Sequence, residues 1–103
     1  MYIFSWENSK EIKKFTKELK KRLEEEFSRA GATFTFGKRR FGNKSYECFG
    51  CVLNKETQKQ ANFSVLYVGD DSGDPYSSST ITTDKKYSCA ITDLAKKALE
   101  LTA

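Results

Sequence analysis

Two of the three thiols of this chain form a Cys-x-x-Cys pair, the first spacing that could support chemistry. The pair is Cys48 and Cys51, and the third cysteine is Cys89. A structural zinc site needs four sulfur or nitrogen ligands, and the chain offers these three cysteines and no histidine. A redox pair needs its first thiol at a helix N-terminus, whereas this pair lies in a predicted strand whose side chains alternate between faces. We therefore expect free, partly buried thiols and neither metal nor cofactor.

A run of acidic and small residues offers a second candidate, with the carboxylates of Asp70, Asp71 and Asp74. Carboxylates bind divalent cations, but this segment lacks the spacing of an EF-hand loop. Clustered carboxylates on a basic protein can also contact a basic partner. Asp, Gly and Ser are common turn residues as well. A plain turn is therefore the first interpretation, contact with a partner the second and cation binding the third.

Basic residues form the third candidate, in one cluster on a predicted helix and another at a predicted hairpin. The chain has 18 Lys and Arg against 14 Asp and Glu, a net charge of +4. The residues expected to contact a phosphate backbone or another acidic partner are Lys10, Lys13, Lys14, Lys17, Lys21, Lys38, Arg39, Arg40 and Lys44. Arg39 and Arg40 are the strongest of these, because a guanidinium can form paired hydrogen bonds to one phosphate. Lys20 shares the predicted helix face, although such a face is often only a solubilising surface.

The absence of histidine removes most familiar catalytic sites. Ser-His-Asp and Cys-His nucleophiles, zinc proteases with paired histidines and Cys2His2 zinc fingers all need an imidazole. We expect the protein not to be an enzyme. No apolar run approaches the roughly 18 residues of a membrane span, and Met1–Trp6 is too short for a secretory signal. We therefore expect a cytoplasmic protein without membrane contact or a small-molecule ligand.

Hydrophobic periodicity predicts the elements that position these side chains. Apolar residues recur every three or four positions and predict a helix over Ser9–Ala30, with Asn8 as its N-cap and Gly31 beyond its end. Alternating residues predict strands at 33–36, 46–53 and 61–68, with a turn at 42–43, a polar loop at 69–79 and a short edge strand at 79–82. A second apolar stripe predicts a last helix over Lys85–Leu101, capped by Thr83 or Asp84.

The expected fold is one α+β domain over residues 1–103, a two-layer sandwich. It has a long N-terminal helix, an antiparallel meander of three to four strands and a C-terminal helix. A helix, three strands and a helix in this order resemble the double-stranded-RNA-binding domains. Lys85 and Lys86, at the start of the predicted last helix, and the segment Ala95–Leu99 are similar to the phosphate-contacting helix of that family. The resemblance is limited to these features, because the family's Gly-Pro-His loop is absent.

We expect a non-catalytic module that binds nucleic acid, or a complex that carries nucleic acid, through its basic helix face and hairpin. Counterion release would make such binding depend on salt and little on sequence. The alternative is a protein inhibitor, because a lone small domain rich in Lys, Phe and Tyr looks like the small proteins of bacteriophages and mobile elements. Anti-CRISPR proteins of that kind block a host defence nuclease. The acidic loop 70–74 would then imitate phosphate in a basic groove of the nuclease.

Overall fold

The first element is a long helix that follows its predicted boundaries to within one residue. A computed structural model describes residues 10–41, 45–68 and 76–103. Helix α1 spans Lys10–Arg29 and buries Leu19, Leu23 and Phe27 against the sheet. Gly31 ends it with a φ of +73°, a left-handed conformation that a residue without a Cβ adopts at little cost. The predicted N-cap Asn8 lies outside the described residues.

In the described residues, six antiparallel strands follow α1 and form one sheet. They are β1 (Ala32–Phe34), β2 (Gly37–Phe41), β3 (Ser45–Asn54), β4 (Gln60–Val68), β5 (Tyr76–Thr82) and β6 (Lys86–Cys89). Their order across the sheet is β1-β3-β4-β5-β6. β2 also pairs with β3, on the same side of β3 as β1. The predicted strands at 46–53 and 61–68 are confirmed as β3 and β4.

The strand predicted at 33–36 is instead interrupted in its middle. β1 and β2 pair with β3 in one continuous register, with Phe34 opposite Val52 and Gly37 opposite Phe49. Between them the Cys51 N–H donates to the side-chain Oγ1 of Thr35 at 3.0 Å, in place of the backbone carbonyl that a regular ladder would use. β1 and β2 are thus two halves of one edge strand.

The predictions for the C-terminal third are wrong in two places. β5 begins at Tyr76, inside the predicted polar loop, and it is an interior strand between β4 and β6 rather than an edge. Its polar composition concealed this position in the sequence. Ser79 is buried, and its Oγ donates to the carbonyl oxygen of Cys89 at 2.7 Å. This hydrogen bond satisfies the hydroxyl inside the sheet, so a polar residue can occupy the buried position.

The predicted last helix is a strand in its first part. After β6 a 3-10 turn, Ile91–Asp93, leads into a helix α2 of nine residues, Leu94–Thr102. Residues 86–89 gain backbone hydrogen bonds to β5, and this tertiary pairing overrides the helical spacing of the apolar residues. The predicted caps Thr83 and Asp84 lie between β5 and β6. Lys85 and Lys86 therefore do not begin a helix, and that part of the likeness to double-stranded-RNA-binding domains is wrong.

Both helices pack on one face of the sheet, so the predicted two-layer α+β class is confirmed. The strand residues buried beneath them follow the alternation of a pleated sheet: Cys48, Val52, Ala61, Phe63, Val65 and Ile81. Leu94 and Ala98 of α2 are fully buried in the same core. No helix of the described residues covers the opposite face, where Phe49 is 37% exposed.

Candidate functional site

A groove between α1 and β2 brings lysines of the two predicted basic clusters together. It has a volume of about 360 Å³. Its lining residues, which we call the lysine groove, are Lys13, Thr16, Lys17, Lys20, Phe36 and Lys38. Lys38 is opposite Cys48 in the pairing of β2 with β3, on the sheet face that carries the helices. Residues 25 positions apart in sequence thereby share one surface.

Helical spacing explains the contribution of α1. Lys13, Lys17 and Lys20 follow each other at four and three residues, so they form one stripe along the helix. Thr16 lies next to this stripe and is only 8% exposed. The three lysines therefore border the buried side of α1. Lys14 and Lys21 are exposed on α1 and do not line the groove.

The floor of the groove is uncharged. Thr16 Oγ1 lies 4.0 Å from Cys48 Sγ, and Cys48 is 1% exposed. Burial raises the pKa of the Cys48 thiol above its ordinary value, although the contact with Thr16 and the charge of Lys38 oppose this shift. The thiol is thus neutral at physiological pH and supplies no negative charge to the lysines above it.

The charges that the described residues bring to this groove all have one sign. Asp and Glu are absent from the lining that these residues form. Within the described part of the chain, the salt bridges join Glu26 to Arg29, Glu47 to Arg39 and Glu100 to Lys97 rather than reaching the four lysines. Two other grooves differ in this respect, since one combines Lys96 and Lys97 with Asp93 and Glu100, and the other combines Arg22 and Lys96 with Glu26 and Asp93. The lysine groove is therefore suited to an anionic ligand.

The predicted cluster at 38–40 is divided between the faces of the sheet. Successive residues of a strand point to opposite faces, and Arg39 is on the face away from the helices. Its Nε donates to Glu47 Oε1 at 2.7 Å, and its Cζ lies 5.1 Å from the centre of the Phe49 ring. Ser64 Oγ donates to the other carboxylate oxygen, Glu47 Oε2, at 2.9 Å. Arg39 and Lys38 thus serve different surfaces of the protein.

The other predicted residues are distributed as follows. Lys10 begins α1, and Arg40 pairs with Tyr46 in β2 and β3. Four predicted residues lie outside the described part of the chain: Lys44, Asp70, Asp71 and Asp74. Sequence reasoning missed Thr16 and Phe36 and left Lys20 out of the expected contacts. The i, i+3, i+4, i+7 spacing from Lys13 would have identified Lys20, whereas the position of Phe36 depends on the sheet.

The cysteines are free thiols, as expected, and Cys48 and Cys51 lie on opposite faces of β3. Cys51 is half-buried, and its Sγ lies 3.7 Å from Gln60 Oε1. In residues 10–41, 45–68 and 76–103 no three Cys, Asp or Glu side chains are grouped so that they could hold a metal ion.

Comparisons of the chain with protein-family models, curated proteins and solved structures found no match. None of the described helices is both long enough and apolar enough to span a lipid bilayer. The geometry and charge of the lysine groove are therefore the basis on which a function can be proposed.

Proposed function

We propose that this protein is a non-catalytic binding module that holds the phosphate backbone of a nucleic acid in the lysine groove. The observation that supports it is the convergence of four lysines from two elements around one groove, where the described residues contribute no carboxylate to the lining. Ammonium groups bind phosphate oxygens by charge-assisted hydrogen bonds. A chain of phosphates can use several such groups at once.

The extent of the basic surface favours a polyanion over a single phosphate. The basic part of α1, residues 10–22, is about 20 Å long and is followed by three glutamates at 24–26. The exposed Lys14 and Lys21 extend its positive charge beyond the groove. Successive phosphates of a nucleic acid can follow such a surface. Phe36 gives the groove an apolar part against which a sugar or a base can pack.

Counterion release provides the free energy of binding in this mechanism. Each lysine that contacts a phosphate displaces condensed cations, so the logarithm of the binding constant falls linearly with the logarithm of the salt concentration. Four contacts predict a slope of about −3 to −4. Lysine contacts to phosphate carry no information about the bases, so we expect little sequence preference.

A fluorescence-anisotropy titration tests the proposal. The parent chain and the Lys17→Gln/Lys38→Gln variant are titrated with short single-stranded and duplex oligonucleotides at several salt concentrations. We expect the variant to bind all of them more weakly and its salt slope to be smaller by about 2, because two phosphate contacts are lost. The matched control is Lys55→Gln/Lys85→Gln, which removes the same charge from exposed residues outside the groove.

The control separates the groove from the net charge of the protein. An equal loss of affinity in both double variants would overturn the lysine groove as the binding site, and no binding at low salt would overturn the proposal entirely. A Lys14→Gln/Lys21→Gln variant measures how far the ligand extends along α1. The inhibitor hypothesis stays a prediction, because its acidic loop lies outside the described residues.

A further inference from the structure

A second surface, on the other side of β2, specifies the kind of nucleic acid. We propose that Phe49 and Arg39 form a stacking platform for one base of a single strand whose phosphates lie in the lysine groove. This inference rests on the proposed function and goes further, because it predicts that the protein prefers a single strand to a duplex.

Phe49 is exposed, yet its ring has a defined place. It lies on the sheet face that no described helix covers, and 37% of the residue is accessible to solvent. Gly37 is directly opposite in β2, and a Cβ at that position would lie 2.9 Å from Phe49 Cζ. The glycine therefore lets the ring lie close to the backbone of the edge strand. An aromatic ring held in this way loses little side-chain entropy when a ligand stacks on it.

Arg39 extends the platform with a planar cation. Its guanidinium Cζ is 5.1 Å from the centre of the Phe49 ring, a cation–π distance. Glu47 holds the guanidinium at 2.7 Å, while Ser64 donates to the same carboxylate at 2.9 Å. The side chain of Arg39 remains 58% exposed. Unpaired bases stack on both aromatic rings and guanidinium planes, so the pair provides the surface that a base requires.

The platform and the lysine groove are connected through the edge strand. Lys38 and Arg39 are consecutive residues of β2, and their side chains leave it on opposite faces. Among the described strands β2 pairs with β3 alone, so none of them lies on its outer side. A flexible polynucleotide can pass around one strand and contact both faces.

A duplex cannot make both contacts at the same cost. Its bases are paired and stacked inside the helix, and one of them must be extruded before it can reach an aromatic side chain. The cross-strand row that contains Phe49 continues with two uncharged polar residues, Ser64 and Thr80. Such residues offer hydrogen bonds to base edges but little attraction to a duplex backbone.

Three nucleic-acid probes and two variants test the platform. The probes are a single-stranded oligonucleotide, a duplex of the same sequence, and an abasic single strand of the same length. We expect Phe49→Leu, which keeps an apolar side chain but removes the ring, to bind the single strand about tenfold more weakly. Binding to the duplex and to the abasic strand is expected not to change. Phe49→Trp retains a ring, so it is expected to bind the single strand as tightly as the parent.

The outcomes distinguish the platform from the lysine groove. If Phe49→Leu binds the single strand as tightly as the parent, the stacking platform is wrong. The lysine groove is then still tested by the Lys17→Gln/Lys38→Gln variant. An equal loss of affinity for the abasic strand would also overturn the platform. The substitution would then weaken binding by changing the protein and not by removing a contact with a base. If the parent chain binds no probe, both proposals fail.

The Phe49→Trp variant keeps the platform testable if Phe49→Leu unfolds. The parent chain has one tryptophan, Trp6. The fluorescence that the variant adds to that of the parent therefore comes from the new tryptophan and reports stacking directly. We expect quenching by the single strand and none by the abasic strand. Equal quenching by both would contradict base stacking.

Discussion

Gly50 lies in β3 where the backbone of Thr35 passes close to it. A Cβ at this position would be 1.9 Å from the carbonyl oxygen of Thr35 and 2.7 Å from Phe63 Cζ. Because glycine leaves that space open, the Thr35 backbone can cross close to β3 while its hydroxyl accepts the Cys51 N–H. Phe36, the next residue, then reaches the lysine groove. A single missing side chain thus shapes the apolar part of the candidate site.

The Gly50→Ala substitution is expected to be strongly destabilising, because its Cβ would clash with backbone and with a buried ring. We expect the free energy of unfolding, measured by urea denaturation, to fall by more than about 2 kcal/mol. Gly31→Ala is the control. A Cβ at Gly31 would meet nothing within 4 Å, although the positive φ there still costs about 1 kcal/mol. Equal losses in the two variants would contradict the close approach at Gly50.

At the scale of elements, α2 depends on the sheet for its stability. A helix of nine residues is too short to be stable alone in water. Leu94 and Ala98 anchor it in the core, and its end is tied to the turn between β3 and β4. There Thr57 Oγ1 donates to the carbonyl oxygen of Thr102 at 2.6 Å, which satisfies one of the free carbonyls at the helix C-terminus.

Removal of this tie is expected to have a modest cost. Thr57→Val keeps the shape of the side chain and removes the hydroxyl, which also accepts the Lys59 N–H at 3.3 Å, so the free energy of unfolding should fall by about 1 kcal/mol. Urea denaturation followed by circular dichroism measures it. The neighbouring Glu56→Gln change, at an exposed residue of the same turn, should leave stability within about 0.5 kcal/mol of the parent. No difference between the two variants would show that the hydrogen bond contributes nothing.

At the scale of the whole molecule, the distribution of charge matters more than its sum. A net charge of +4 is modest, but four lysines line a single groove to which the described part of the chain adds no carboxylate. Their mutual repulsion destabilises the folded protein at low salt, and a bound anion relieves it. A ligand that binds only the folded state stabilises it by mass action.

Inorganic phosphate should therefore raise the melting temperature more than chloride does at equal ionic strength. A gain of about 1 kcal/mol corresponds to about 4 °C in a domain of this size. Differential scanning calorimetry of the parent and the Lys17→Gln/Lys38→Gln variant measures the excess, which the variant should lose. The Lys55→Gln/Lys85→Gln control should keep it. If phosphate raises the melting temperatures of both double variants equally, it acts because phosphate is excluded from the protein surface in general and not because it binds in the groove.

Local patterns were sufficient for much of the fold. α1, β3 and β4 were predictable because helical and alternating periodicity are properties of consecutive residues. The two-layer class followed from them. β5 and β6 were not predictable in the same way, because a buried serine and a four-residue strand depend on hydrogen bonds to neighbouring strands.

The candidate site likewise has one part that the sequence predicts and another that depends on tertiary contacts. The amino-acid sequence by itself determined which residues are cationic, the stripe that carries Lys13 and Lys17, and the absence of imidazole chemistry. Only the tertiary structure decided that Lys38 joins that stripe while Arg39, one residue later, lies beside Phe49 on the other face. The reason is that helix periodicity acts within one element, whereas a groove and a stacking surface form only when strand pairing and core packing bring distant residues together.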